Sequence, residues 1–113
     1  MPTSGDVVEL DLGLPRAREA GFRHPAVVVT AQRILDSAPA VVHMVPLTTT
    51  IRRFHSEIVI EPDGGNRLDA ISAAQCRHLR AISPGRILEV RGDVGITTLA
   101  QIRETIAVIL DIP

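Results

Sequence analysis

The stretch VPLTTTIRR, residues 45–53, sets three consecutive threonines and two arginines directly after an apolar run. Threonine is a good strand former and a tolerable turn former, so a purely structural reading exists. The same residue types also have a chemical use. Hydroxyls and guanidinium groups at the mouth of a strand suit the holding of a phosphate, which arginine can grip with two parallel bonds. The aromatic residues, Phe22 and Phe54, sit in GFRHP and RRFHSE, each beside an arginine and within two positions of a histidine. A base can stack on such a ring while the arginine holds its phosphate. Alternatively, both rings plug the ends of a small sheet.

His24 and His55 fall in segments that read as loops beside arginine, where they are available for acid–base work near neutral pH. His43 lies inside an apolar strand and reads as a core or interface histidine. The four histidines show no HxH, HxxH or HExxH spacing and Cys76 is the single cysteine, so neither a metal site nor an internal disulfide is indicated. On a strand Cys76 and His78 would share a face, but no orienting group is in view and Cys76 reads as a buried small hydrophobe. Glycine-rich phosphate loops of the P-loop or Rossmann type are absent, and no cofactor is implied. Arg77, Arg80, Arg86 and Arg91 make the second half basic, as a solvated face or as a track for an RNA backbone.

These side chains need elements to position them. The alternation in GDVVELDLG (5–13) predicts a half-buried strand, with Val8, Leu10 and Leu12 on one face. Residues 14–24 read as a loop, 25–31 (PAVVVTA) as a buried strand, and 32–39 as a connection with room for one helical turn. A third strand over 40–48 is expected to break or bulge at Pro46. Further strands follow at 56–62, 68–76, 77–82 and 88–95, with turn signals at DGG (63–65) and SPG (83–85). In 96–112 the period changes to that of a helix, with Leu99, Ile102, Ile106, Ile109 and Leu110 on its stripe and Thr97 or Thr98 as its cap. The fold class is thus α+β and mainly β: a small, strongly curved antiparallel sheet or barrel closed by a C-terminal α-helix.

A chain of 113 residues with 45% hydrophobic residues reads as one globular domain, 1–113. The net charge of −1 does not by itself announce a nucleic-acid binder, although all 12 basic residues are arginine. No signal peptide or membrane-spanning run is read, which makes the cytoplasm the expected location.

Taken in order, GDVVELDLG, EAGFRHPAVVVT, VPLTTT, AQCRHLRAI and the C-terminal helix resemble the MazF/PemK family, the ribonuclease toxins of bacterial toxin–antitoxin systems. The resemblance covers nearly the whole chain. It implies an SH3-like curved sheet, a homodimer, and metal-independent cleavage of single-stranded RNA by 2′-OH attack, giving a 2′,3′-cyclic phosphate and a 5′-OH. It also implies a cognate antitoxin that blocks the groove. Carried over by position, Thr48 matches the family's catalytic threonine. The family's arginine before the proline of the second strand is here His24, with Arg23 one residue earlier. Either His24 moves the proton while Arg23 holds the phosphate, or the loop bulges, Arg23 fills the usual place and His24 is structural. Ala74 stands where members often carry an acidic residue before Gln75, while Arg77 matches. Phe22, Thr49, Arg52, Arg53, Phe54, Gln75 and Arg77 are the RNA-contact candidates. The alternatives are a CcdB-like toxin that poisons gyrase without cutting RNA, or a degenerate relative that only binds RNA or an antitoxin.

Overall fold

Val7 and Val8 are neighbours in sequence and both fully buried. Successive strand side chains point to opposite faces, so the strand that carries them, β1 (Asp6–Asp11), must be covered on both sides. It is therefore not the half-buried strand that its alternation suggests. Val7 joins Val27, Val45, Leu47 and Ala74 in a cluster under a C-terminal helix. Val8 and Leu10 join Ala26, Val28, Val42, Met44 and Ile82 in a second cluster on the other face.

The computed structural model describes residues 1–12 and 23–113. Most of the expected 14–24 loop, with Phe22, lies outside the described residues. After β1 come β2 (Arg23–Val28), α1 (Gln32–Leu35), β3 (Val42–Thr48), β4 (Glu57–Ile60), β5 (Ser72–Gln75), β6 (Arg80–Ile82), β7 (Ile87–Asp93) and α2 (Ile96–Ile109). Arg23 and His24 open β2 instead of ending a loop. Single 3₁₀ turns occupy Cys76–His78 and Pro84–Arg86.

Among the described residues the seven strands make one sheet in the order β4-β5-β3-β2-β1-β7, with β6 alongside β3. Its pairs are antiparallel. The path has two ends and does not close into a barrel. β3 runs without a break through Pro46 and changes neighbours there: Val42–Met44 pair with β6, Leu47 and Thr48 with β5. The expected break is thus a handover between partners.

In α2, Ile102 is fully buried and Leu99 and Ile106 pack on the core, but Ile109 and Leu110 of the predicted stripe are exposed, as are Val108 and Ile112. The core under α2 ends at Ile106. Neither Thr97 nor Thr98 caps the helix. Its N-cap is Gly95, whose φ of +87° turns the chain at a point upstream of both threonines. The Gly95 N–H donates to Asp93 Oδ1 at 2.7 Å.

Asp6 and Asp93 face each other in the β1–β7 register. Burial, and then the charge and hydrogen bond of Asp93, push the Asp6 carboxyl above its usual range, against an opposing bond from the Thr3 N–H. A carboxyl whose folded pKa is raised stabilises the fold at low pH and loses that contribution as pH rises through the folded value. Asp6→Asn keeps an acceptor for Thr3 N–H (2.7 Å in the wild type) and removes the charge. Its Tm at pH 7 is expected to exceed that of the wild type by a few degrees, with the gap closing below about pH 4. Thermal melts across pH check this.

Candidate nucleic-acid interface

β2 and β3 pair Ala26 with Pro46, Val27 with Val45 and Val28 with Met44. Continued by two residues, that register sets His24 opposite Thr48. Alternation then places His24 on the face of Ala26 and Val28, and Arg23 on the face of Val27. His24 lines a groove of about 280 Å³ with an apolar floor of Leu10, Leu12, Ala26, Met44 and Pro46 and a polar side of Gln75, His78 and Arg80. Arg23 is turned towards β7, where its Nη2 lies 3.9 Å from Glu89 Oε2 with both side chains largely in solvent. Such a pair is weak. Neighbouring strand residues cannot both enter one groove, so a shared role for Arg23 and His24 at one phosphate does not fit this geometry.

Burial, helped by the nearby Arg80 charge, holds the His24 imidazole below its ordinary pKa, while a hydrogen bond to the Leu47 carbonyl and the Glu9 charge oppose this. The ring is therefore neutral at pH 7. A neutral imidazole has one N–H and one nitrogen lone pair. The Leu47 carbonyl takes the N–H, so the basic character of the ring resides in its other nitrogen.

Thr48 ends β3 with its Oγ1 accepting the Thr50 N–H at 3.1 Å, a local turn that the TTT run favours. Thr49 is exposed. A second hollow of about 170 Å³ adjoins the first and shares Gln75 and His78 with it; Arg52, Phe54, Ser56, Glu57 and Arg77 complete its wall. Phe54 is exposed at this rim and is no core plug. Arg53 is exposed and holds a left-handed φ of +57°.

Of the groove residues, His78 is not among the RNA-contact candidates read from the sequence, and Arg80 reads only as part of a basic second half. The 3₁₀ turn at Cys76–His78 breaks strand parity, so Cys76 turns inward while His78 turns out to the groove. Burial pushes the Cys76 thiol up to about 11, which leaves it protonated and inert. A run of arginines among alternating apolar residues was the available signal for Arg80. The supposed basic track itself divides. Arg77 and Arg80 border the hollows. Arg86 donates to the Asp11 carbonyl at 3.3 Å, and Arg91 bridges Glu9 and Asp69 at 3.0 and 3.1 Å. His43 is exposed on β3 and not in the core, because its neighbours Val42 and Met44 take the inner face. His55 lies away from the groove, against Thr105, Val108 and Ile109 of α2. Among the described residues, no three His, Cys, Asp or Glu side chains converge to hold a metal ion, and no helix is long and apolar enough to cross a membrane.

Residues 3–110 match the family model of the PemK-like, MazF-like toxin of type II toxin-antitoxin systems. The chain is 30% identical over 116 residues to endoribonuclease MazF9 of Mycobacterium tuberculosis, covering 99% of this chain and 98% of that protein. Its fold is similar to an endoribonuclease in complex with its cognate antitoxin from Mycobacterial species, with a TM-score of 0.80, 21% identity, and coverage of 100% and 98% of the two chains. It is also similar to MazE–MazF of Deinococcus radiodurans, with a TM-score of 0.79, 19% identity, and coverage of 99% and 97%.

Proposed function

We propose that this chain, which belongs to the PemK-like, MazF-like toxins of type II toxin–antitoxin systems, is an endoribonuclease that cuts single-stranded RNA in the groove between β2, β3 and the Cys76–His78 turn. The observation that carries the reading is a groove that brings His24, Gln75, His78 and Arg80 together beside the strand that ends at Thr48. In this scheme the lone pair of His24 takes the 2′-OH proton. The 2′-oxygen bonds to the adjacent phosphorus, the bond from phosphorus to the 5′-oxygen breaks, and that oxygen leaves with a proton donated by His78, which regains one from solvent as His24 gives its own up. Negative charge on the non-bridging oxygens is met by the Arg80 guanidinium, which lines the groove, and by the Thr48 hydroxyl, whose oxygen is bound by the Thr50 N–H. The products are a 2′,3′-cyclic phosphate and a 5′-OH.

The antitoxin bound by a structural relative supports an antitoxin partner here, one that covers the same groove, and family membership supports a homodimer acting in the cytoplasm. The match of residues 3–110 and the polar side of the groove favour this reading over a gyrase-directed or binding-only protein.

The test is cleavage of mixed-sequence single-stranded RNA in EDTA, with product ends identified by mass spectrometry. Cyclic-phosphate and 5′-OH ends are expected, with the rate down by about 10²-fold in Thr48→Ala. Strict metal dependence, or 5′-phosphate ends, would overturn the scheme.

A further inference from the structure

The second hollow holds a carboxylate that this chemistry does not use. Glu57 opens β4 directly opposite Gln75. Its side chain is only 6% exposed, and Oε2 lies 3.8 Å from Arg52 Nη1, an ion-pair distance too long for a hydrogen bond. Its Oε1 is buried and has no hydrogen-bond partner. Buried acceptors are nearly always paired, because an unpaired one bears its full desolvation cost, so this oxygen marks a place where a donor is missing. The hollow in front of it is small, about 170 Å³, and is lined by Phe54, Arg77 and His78 as well. Phe54 is 52% exposed at the rim, a bare ring beside a charged slot.

We infer that this hollow is a nucleobase subsite and that Glu57 makes it selective for guanine. The inference rests on the ribonuclease reading and names the base which that groove takes. A carboxylate only accepts. On the Watson–Crick edges of cytosine, adenine and uracil the N–H donor is flanked by a lone pair or a carbonyl that a carboxylate repels. Guanine alone offers two adjacent donors, N1–H and the N2 amino group, which match both oxygens of Glu57. Gln75, across the strand pair, can donate its amide to guanine O6. Phe54 offers the stacking face, and Arg52, released from Glu57, joins Arg77 on the flanking phosphates. Gln75 and His78 also line the first groove, so the base read here adjoins the scissile phosphate.

The experiment uses 2′-deoxyuridine hexamers, which lack the attacking hydroxyl, each carrying one G, A, C, U or inosine, with binding read by fluorescence anisotropy. Guanine is expected to bind roughly 10- to 100-fold more tightly than A, C or U, with inosine intermediate because it lacks the N2 amino group. Glu57→Gln should abolish the preference, and the inosine result requires no protein variant. Equal affinities, or a guanine preference that survives Glu57→Gln, would overturn the inference. The matching ribonucleotides separate the two readings. Guanine-dependent binding without cleavage upholds the subsite and removes the ribonuclease. Cleavage indifferent to guanine does the reverse, and no binding to any oligomer overturns the subsite.

Discussion

His24→Ala is expected to lower RNA cleavage at pH 7 by about 10²- to 10⁴-fold, the range for losing a positioned general base. Arg23→Ala should leave the rate close to that of the wild type, because the Arg23 side chain leaves the opposite face of β2 and meets Glu89 in solvent. The pH profile adds a signature. Burial holds the His24 imidazole below its ordinary value, so the basic form is depleted only in acid. The wild-type rate should rise from acid pH with a midpoint below the ordinary histidine value of about 6.5. In His24→Gln this limb should vanish. The same depressed pKa means that the folded chain binds fewer protons than the unfolded one, so stability falls as pH drops through the unfolded value of about 6.5. Circular dichroism at each pH therefore accompanies the rate measurements. Activity lost in Arg23→Ala and kept in His24→Ala would reverse the two assignments.

Gly92→Ala is expected to be the most damaging small substitution in β7. A Cβ built on Gly92 would lie 2.3 Å from the Gly65 carbonyl oxygen and 2.8 Å from backbone atoms of Asn66. These are backbone atoms and cannot swing aside. They belong to a loop whose centre, Asn66, is 1% exposed. Its Oδ1 accepts from the Asp63 and Leu68 N–H groups at 3.0 Å, and its Nδ2 donates to the Glu61 carbonyl at 2.9 Å. The loop is bound to β7 by the Asp93 N–H on the Gly65 carbonyl at 2.9 Å and by Arg91 on the Arg67 carbonyl at 3.0 Å. A methyl group at residue 92 must push these apart, at a cost of about 3–5 kcal/mol. Gly64→Ala is the control, since nothing lies within 4 Å of its added carbon. Urea unfolding of the two variants should separate them by well over 1 M in midpoint for a slope of about 1–3 kcal/mol per M.

Much of the fold was legible because apolar periodicity reports local geometry. The change from strand alternation to helical spacing near residue 96 follows from it. What periodicity cannot report is the partner on the second face. Val7 read as part of a one-sided strand because its contacts, Val27, Val45 and Ile102, are remote in sequence. The helix stripe was overextended to Leu110 for the same reason: spacing shows which residues share a face, not where the core beneath them stops. At the candidate site, Thr48, Arg52 and Phe54 were visible as residue types at a strand end, Arg77 within a basic series, and Gln75 through the family resemblance. The groove position of His78 was not, because a three-residue turn resets which side the chain faces, and Arg80 stood out only within a basic series. Glu57 read as the polar half of an alternating strand, and only the fold shows that it stands opposite Gln75 and lines a hollow.

Gln75 and His78 form a partition that belongs to both hollows. Two compartments with a common wall cannot be filled independently. A strand whose base fits badly on one side shifts the side chains that the reacting phosphate meets on the other. Discrimination of this kind falls on turnover more than on capture: ill-fitting RNA still docks by its phosphates, yet its reacting atoms stay out of line. An enzyme so built is a poor scavenger of random RNA and a sharp editor of particular sites, with non-cognate strands acting as slow, occupying inhibitors.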